Sequence, residues 1–407
     1  MFEILAVFCG GMFLLLTAGS LRALVRAESR FAPPTRPKQA AAVAVAFGFA
    51  AVVELTFIFI ALREYPADGL GQAVQNFFGR YAIDAGHYMN IARYGYSAAD
   101  TAFTGQELMI VFFPLYPLFL RLVNPVGVLP WHLTGMLVQL VIFPAGSGLF
   151  YRLAHRLLGP GRAGWALAFL LAMPGSFFFM TPMSDSLFFL LTSAFLLALL
   201  EERPGIAGIA GILAGLCRAP GALLAGAAGA FYLGKLLRRE ERFRPRWILA
   251  AGGPAAGLGL YLLLNRLVYG DWLRFTYYQA EHWDQKLGFF WNTVRYHGRM
   301  FLAWLPDSPQ MAYWLCLWAV GTLVFSLLIL AAGRRLPAWM RLYGLAYYAM
   351  TNGASWLLSA PRYSLNNPAL PLSLACLPRW ARRAVLVVLL VLWAALFAGF
   401  VHRKPIF

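Results

Sequence analysis

The chain reads as an all-α polytopic membrane protein. Two observations predict this: 60% of its 407 residues are hydrophobic and only 13% charged, and the apolar residues arrive in runs of about 20, the length a helix needs to cross a bilayer core. A soluble domain with a polar surface cannot be assembled from that composition. About a dozen helices fit the length, separated by short polar or Pro- and Gly-containing segments.

The 34 basic residues exceed the 17 acidic ones, but they gather in short loops. The basic clusters run Arg22 to Lys38, Arg152 to Arg162, Lys235 to Arg246, Arg334 to Arg341 and Arg379 to Arg383. By the positive-inside rule these loops are cytoplasmic, and a nucleic-acid partner is not expected. The four cysteines, Cys9, Cys217, Cys316 and Cys376, lie in or beside apolar runs without CxxC spacing, so they read as buried helix residues and not as a disulfide framework or zinc site.

With the basic loops inside, the elements follow in order. The opening run, Phe2 to Leu21, has Glu3 and no basic residue ahead of it, so it reads as a first transmembrane helix and not as a cleavable signal. Residues 1–38 are then an additional helix with a basic loop, and 39–407 form one membrane domain. A second helix from about Gln39 to Leu62 leads to an external stretch, and 63–130 carries it with interfacial segments. Met109 to Val123, broken by Pro114 and Pro117, is expected to be interfacial or re-entrant. Spans follow at Trp131 to Arg152, Gly164 to Met180 and Ser186 to Leu200. A tight pair between Gly205 and Leu237 flanks the Cys217-Arg218-Ala219-Pro220-Gly221 break. After a span to about Val268, Tyr269 to Gln310 is a second external stretch. Met311 to Ala332, Leu342 to Leu358, Asn366 to Leu377 and Ala384 to Val401 complete the bundle. No internal repeat is visible.

Most of the acidic residues outside the cytoplasmic loops fall on the external side: Asp68, Asp84, Asp100, Glu107, Asp185, Asp271, Glu281, Asp284 and Asp307. The densest segment runs from Asp84 to Tyr96. If helical, it sets Asp84, His87, Tyr88 and Ile91 on one face, so a carboxylate, an imidazole and a phenol converge. That trio suits proton abstraction from a hydroxyl. Asp84 as a plain helix N-cap is the competing reading. Asp185, beside Ser184 at a helix start, invites the same two readings. Arg218 and Arg362 lie in Pro-containing interruptions, where an arginine needs an anion, whether a carboxylate, a lipid head group or a substrate phosphate, or else snorkels to head groups. There is no Walker A sequence, no HExxH and no nucleotide-binding glycine fingerprint following a strand, and no cytoplasmic loop is long enough to fold as a nucleotide-sugar domain.

Four segments in order resemble one family. They are Asp84-Ala-Gly-His-Tyr88 with Ile91-Ala92 and Gly95-Tyr96; Phe112-Phe-Pro-Leu-Tyr-Pro117; Phe177-Phe-Phe179 through Thr181-Pro-Met-Ser-Asp-Ser186; and Pro361-Arg362-Tyr363. Gly270-Asp271-Trp272 with Gln279 and Trp283, and the Arg218 turn, are weaker echoes. The set is similar to the PIG-V type mannosyltransferases, known in eukaryotes as GPI mannosyltransferase 2 and with bacterial relatives, which belong to the GT-C glycosyltransferases. The likeness covers about Arg80 to Tyr363. It departs where Ile83 stands for the family's usual Trp and Asp185 for its usual Glu.

The resemblance implies a GT-C-like helix bundle with a helical first external loop. It also implies transfer of a sugar, mannose for choice, with inversion from a polyprenyl-phosphate donor to a hydroxyl of a lipid-linked or glycolipid acceptor. Asp84 would be the general base. Arg362, with Arg218 and His87 behind it, would support the leaving phosphate, and Tyr88, Asp185, Gln279 and Tyr363 would complete the substrate site. No metal or cofactor is implied. The expected location is a bacterial plasma membrane with the site facing the periplasm or exterior. A lipid-linked sugar flippase, and a GT-C enzyme with another sugar or a protein acceptor, are the alternatives.

Overall fold

The computed structural model describes residues 1–26, 38–65, 67–79, 84–97 and 109–406. Most of the basic segment after the first helix, Ile83, and the loop carboxylates Asp100 and Glu107 lie outside the described residues, as does the side chain of Trp283.

Among the described residues the fold is helical and has no strand; an isolated bridge joins Leu287 to Ala354. The chain opens with α1 (Phe2–Leu24) and α2 (Gln39–Glu64), then the short α3 (Leu70–Gly79) and α4 (Ala85–Tyr94). Next come α5 (Leu115–Val123), α6 (Trp131–Leu137), α7 (Gln139–Leu158), α8 (Pro160–Ala172), α9 (Asp185–Leu200), α10 (Pro204–Cys217), α11 (Leu223–Leu237) and α12 (Trp247–Tyr269). The rest comprises α13 (Arg274–Trp283), α14 (Phe290–Trp304), α15 (Pro309–Ala332, with a π-helical stretch at Ala312–Leu317), α16 (Ala338–Asn352), α17 (Ala360–Leu365), α18 (Ala369–Ala375) and α19 (Arg379–Val401).

Seven of these segments are long and apolar enough to cross a membrane: α1, α2, α6 with α7, the Ala219–Leu237 helix, α12, α15 and α19; α9 and α10 are apolar but shorter. The protein is thus a helical membrane protein. Its outward side chains agree with lipid as solvent, since Leu15, Val52, Leu55, Val141, Leu267 and Val391 are all more than 60% exposed, a pattern that water would penalise. Met109–Val111 and Leu115–Val123 are short helical pieces, as the proline-broken pattern predicts.

The first helix is packed into the bundle, with Phe2 seated against Gly298 of α14 and Glu3 paired with Arg295 and Arg299. Close approach decides the placement of α10. A Cβ on Gly215 would lie 2.5 Å from the carbonyl oxygen of Pro254, and one on Gly257 would collide with the Ile212 carbonyl oxygen. Small residues facing each other let the α10 and α12 backbones touch. That contact fixes the end of α10, where Arg218 begins. The aromatic run Phe177 to Phe179 is fully buried and wedges its 3₁₀ turn against α19 and α7: Phe177 lies 5.1 Å from Phe400 and Phe179 lies 4.8 Å from Phe143, centroid to centroid. It holds the approach to Asp185.

Candidate active site

Four interruptions of helix converge on one site, and each has a local cause. Asp84 occupies the N-cap position of α4, yet its side chain caps nothing. Asp185 opens α9, and its oxygens accept from arginine and asparagine side chains. Arg218 sits in extended backbone between α10 and a 3₁₀ turn containing Pro220. Arg362 follows Pro361 in the first turn of the six-residue α17. Capping therefore does not account for either carboxylate.

Instead the carboxylates and arginines bind one another. Arg362 Nη1 donates to Asp84 Oδ2 at 2.7 Å, and its Nε donates to Asp185 Oδ2 at 3.0 Å. Arg218 Nη1 pairs with Asp185 Oδ1, to which Asn366 Nδ2 also donates at 2.9 Å. Asp185 is fully buried, and the Arg362 side chain is 4% exposed, whereas Asp84 is 33% exposed and Arg218 16%. The order from interior to opening is thus Asp185, Arg362, then Asp84 and Arg218. Two negative and two positive groups balance, as burial of charge demands. Burial opposes the Arg362 charge, but the carboxylates of Asp185 and Asp84 outweigh it and hold the guanidinium more firmly protonated than usual.

Asp84, Arg218 and Arg362 line a cavity of about 340 Å³ together with Tyr88, Gln279 and Tyr363. Tyr88 exchanges a 3.0 Å hydrogen bond with Ser184, beside Asp185. Burial first, then the Asp84 charge, push the Tyr363 phenol above its ordinary pKa; burial does the same to Tyr88. Both phenols therefore act here as neutral hydrogen-bonding groups. His87 stands apart from the expected convergence. Its ring stacks on Phe112 at 4.7 Å, and Phe112, not His87, faces the cavity. Gln279 is bonded to Gln285 at 2.6 Å, and both line the opening.

Sequence reasoning did not single out Asn366, Gln285, Tyr347 or Thr351. Asn366 had a signal, lying four residues after Arg362, one helical turn on. Tyr347 and Thr351, one turn apart on α16, line the cavity but are ordinary residues of an apolar helix in sequence. Among the described residues no group of three or more His, Cys, Asp or Glu side chains is disposed to hold a metal ion. The four cysteines are buried and unpaired.

Fold and site together define a helical membrane protein whose cavity is built on a buried network of two aspartates and two arginines. No family model, curated protein or solved structure matches the chain.

Proposed function

We propose that the protein is a membrane glycosyltransferase of the GT-C type, with the short apolar helices completing a bundle of about twelve. It transfers a sugar, mannose first among the candidates, from a polyprenyl-phosphate donor to a hydroxyl of a lipid-linked or glycolipid acceptor. The site then faces away from the cytoplasm, in a bacterial plasma membrane. The observation that carries the reading is Asp84, a carboxylate exposed to the cavity, free of any capping duty and gripped through one oxygen by Arg362.

In the reaction the acceptor oxygen attacks the anomeric carbon from the face opposite the lipid phosphate. Its proton passes to the Asp84 carboxylate, and the bond from the anomeric carbon to the phosphate oxygen breaks, its electrons leaving with the lipid phosphate. Inversion follows from the single displacement. The departing phosphate needs cationic support. Arg218 is the better placed of the two arginines, since it is the more exposed and is bonded to one carboxylate, while Arg362 is shared between two. Arg362 then positions Asp84, and Tyr88, Tyr363 and Gln279 offer hydrogen bonds to sugar hydroxyls.

Purified protein incubated with labelled polyprenyl-phosphate mannose and a membrane lipid extract should yield a labelled glycolipid identifiable by mass spectrometry. Asp84→Asn should lower turnover by at least about 10²-fold, the lower bound for loss of a general base, with expression and folding intact. Wild-type turnover in that variant would remove Asp84 as the base.

A further inference from the structure

A second polar cavity of about 460 Å³ lies behind the first, lined by Gln75 of α3, Asn90 and Arg93 of α4, and Trp131 and His132 of α6. The two cavities share α4 as a wall. At about 100° per residue, Arg93 is nine positions and so about half a turn from Asp84, which puts the catalytic carboxylate and this arginine on opposite faces of one helix. The second cavity takes no part in the chemistry proposed above.

Its polar groups are unspent. Arg93 is exposed and makes no ion pair among the described residues, resting only over the ring of Tyr94 at 4.7 Å. No carboxylate lines the cavity among those residues. His132 contributes a largely buried ring to the wall, 8% exposed. The frame is built, not loose. Asn124, itself buried, donates to the Leu129 carbonyl at 2.8 Å and to Thr134 Oγ1 at 3.1 Å, pinning the turn that forms one side. Gly127 takes the left-handed conformation within that turn, and Pro130 lies so close to Gly71 that a Cβ there would collide with its ring. Beside the cavity mouth the same turn carries Val126 at 81% exposure and Val128 at 79%, and Leu122 of α5 is 72% exposed. These apolar side chains suit the headgroup and acyl boundary of a bilayer, with Trp131 at the level such rings favour.

We infer that this cavity binds the polar head of an anionic phospholipid from the leaflet on the side of the catalytic cavity. Arg93 pairs with the phosphate, Asn90 and Gln75 hydrogen-bond the head group's remaining oxygens, and the acyl chains lie along Val126, Val128 and Leu122. The apolar rim assigns the phosphate to a lipid and not to a free phosphate ester.

The test titrates full-length protein in detergent with short-chain phosphatidylglycerol, short-chain phosphatidylcholine and glycerol 3-phosphate, reading binding by tryptophan fluorescence. Saturable phosphatidylglycerol binding at least tenfold tighter than phosphatidylcholine is expected, with glycerol 3-phosphate at least tenfold weaker again. Arg93→Gln should weaken phosphatidylglycerol tenfold or more and abolish the preference, and Asn90→Leu should weaken both lipids. Melting curves confirm that each variant is folded. Equal binding of the two lipids, unchanged phosphatidylglycerol affinity in Arg93→Gln, or saturation by glycerol 3-phosphate at the lipid's own concentration would overturn the assignment. None of these readouts depends on transferase activity.

Discussion

Asp185→Asn is the most direct probe of the network, because the substitution keeps shape and removes charge from a side chain with no exposure. Two guanidiniums address this carboxylate, Arg362 Nε at 3.0 Å and Arg218 through Nη1, and Asn366 adds a third donor at 2.9 Å. At an effective dielectric of about 20, a pair at about 4 Å gains about 4 kcal/mol of attraction, offset in part by the cost of drying both charges. Removing one partner leaves that cost unmatched, so the expected loss of stability is about 3–5 kcal/mol. Arg218→Gln should cost a comparable amount by exposing Asp185 to the same imbalance. The double variant Asp185→Asn/Arg218→Gln should then lose at least about 2 kcal/mol less than the sum of the two. Unfolding in mixed micelles, followed through tryptophan fluorescence, measures all three. Additivity to within about 0.5 kcal/mol would show that the two residues share no energy and would refute the network as described.

Arg362→Lys retains a charge but cannot donate to two carboxylates from two edges, so turnover should fall about 10²-fold with donor KM changed less than about threefold; a selective rise in KM with kcat intact would make Arg362 a phosphate ligand instead. Gln139 is buried, and its Nε2 lies within 3.2 Å of the Tyr116 hydroxyl and the carbonyls of Gly135, Thr181 and Met183, so Gln139→Leu should cost about 2–3 kcal/mol in micellar unfolding by leaving acceptors unpaired. His297 accepts a hydrogen bond from the Leu357 amide at 2.7 Å through Nε2, and burial pushes its pKa down to about 4. Its neutral form is favoured on folding, so its contribution is whole above about pH 6.5 and is lost as pH falls from there to about 4, a change of about 3 kcal/mol. His297→Gln should flatten that part of the pH profile of the melting temperature, and an unchanged profile would exclude His297 as its source.

Much of the bundle was legible because a span needs only a local property, a run of apolar residues of sufficient length. The helices expected from about Gln39, Trp131, Met311 and Ala384 form close to those places, as Gln39–Glu64, Trp131–Leu158, Pro309–Ala332 and Arg379–Val401. The short helices were less legible. Asn366 to Leu377 contains only the seven-residue Ala369–Ala375, and Leu342 to Leu358 yields a helix ending at Asn352, after which residues 353–359 turn and Thr293 and His297 hold the Ala354 carbonyl and the Leu357 amide. Those contacts come from α14, and no pattern within the segment reveals them.

For Asp84, the sequence alone determined its residue type, its place at the head of a short helix and the other polar breaks available to meet it. Tertiary structure decided its partners. Arg362 stands 278 positions away and Asp185 about a hundred, and only packing of α4, α9, α10 and α17 lets the one guanidinium reach both carboxylates. It also turned His87 onto Phe112 while keeping Tyr88 in the cavity, because faces of a ten-residue helix are set by what packs on each side. Charge pairing across such distances depends on desolvation by the whole bundle, and that quantity belongs to the fold and to no stretch of the chain.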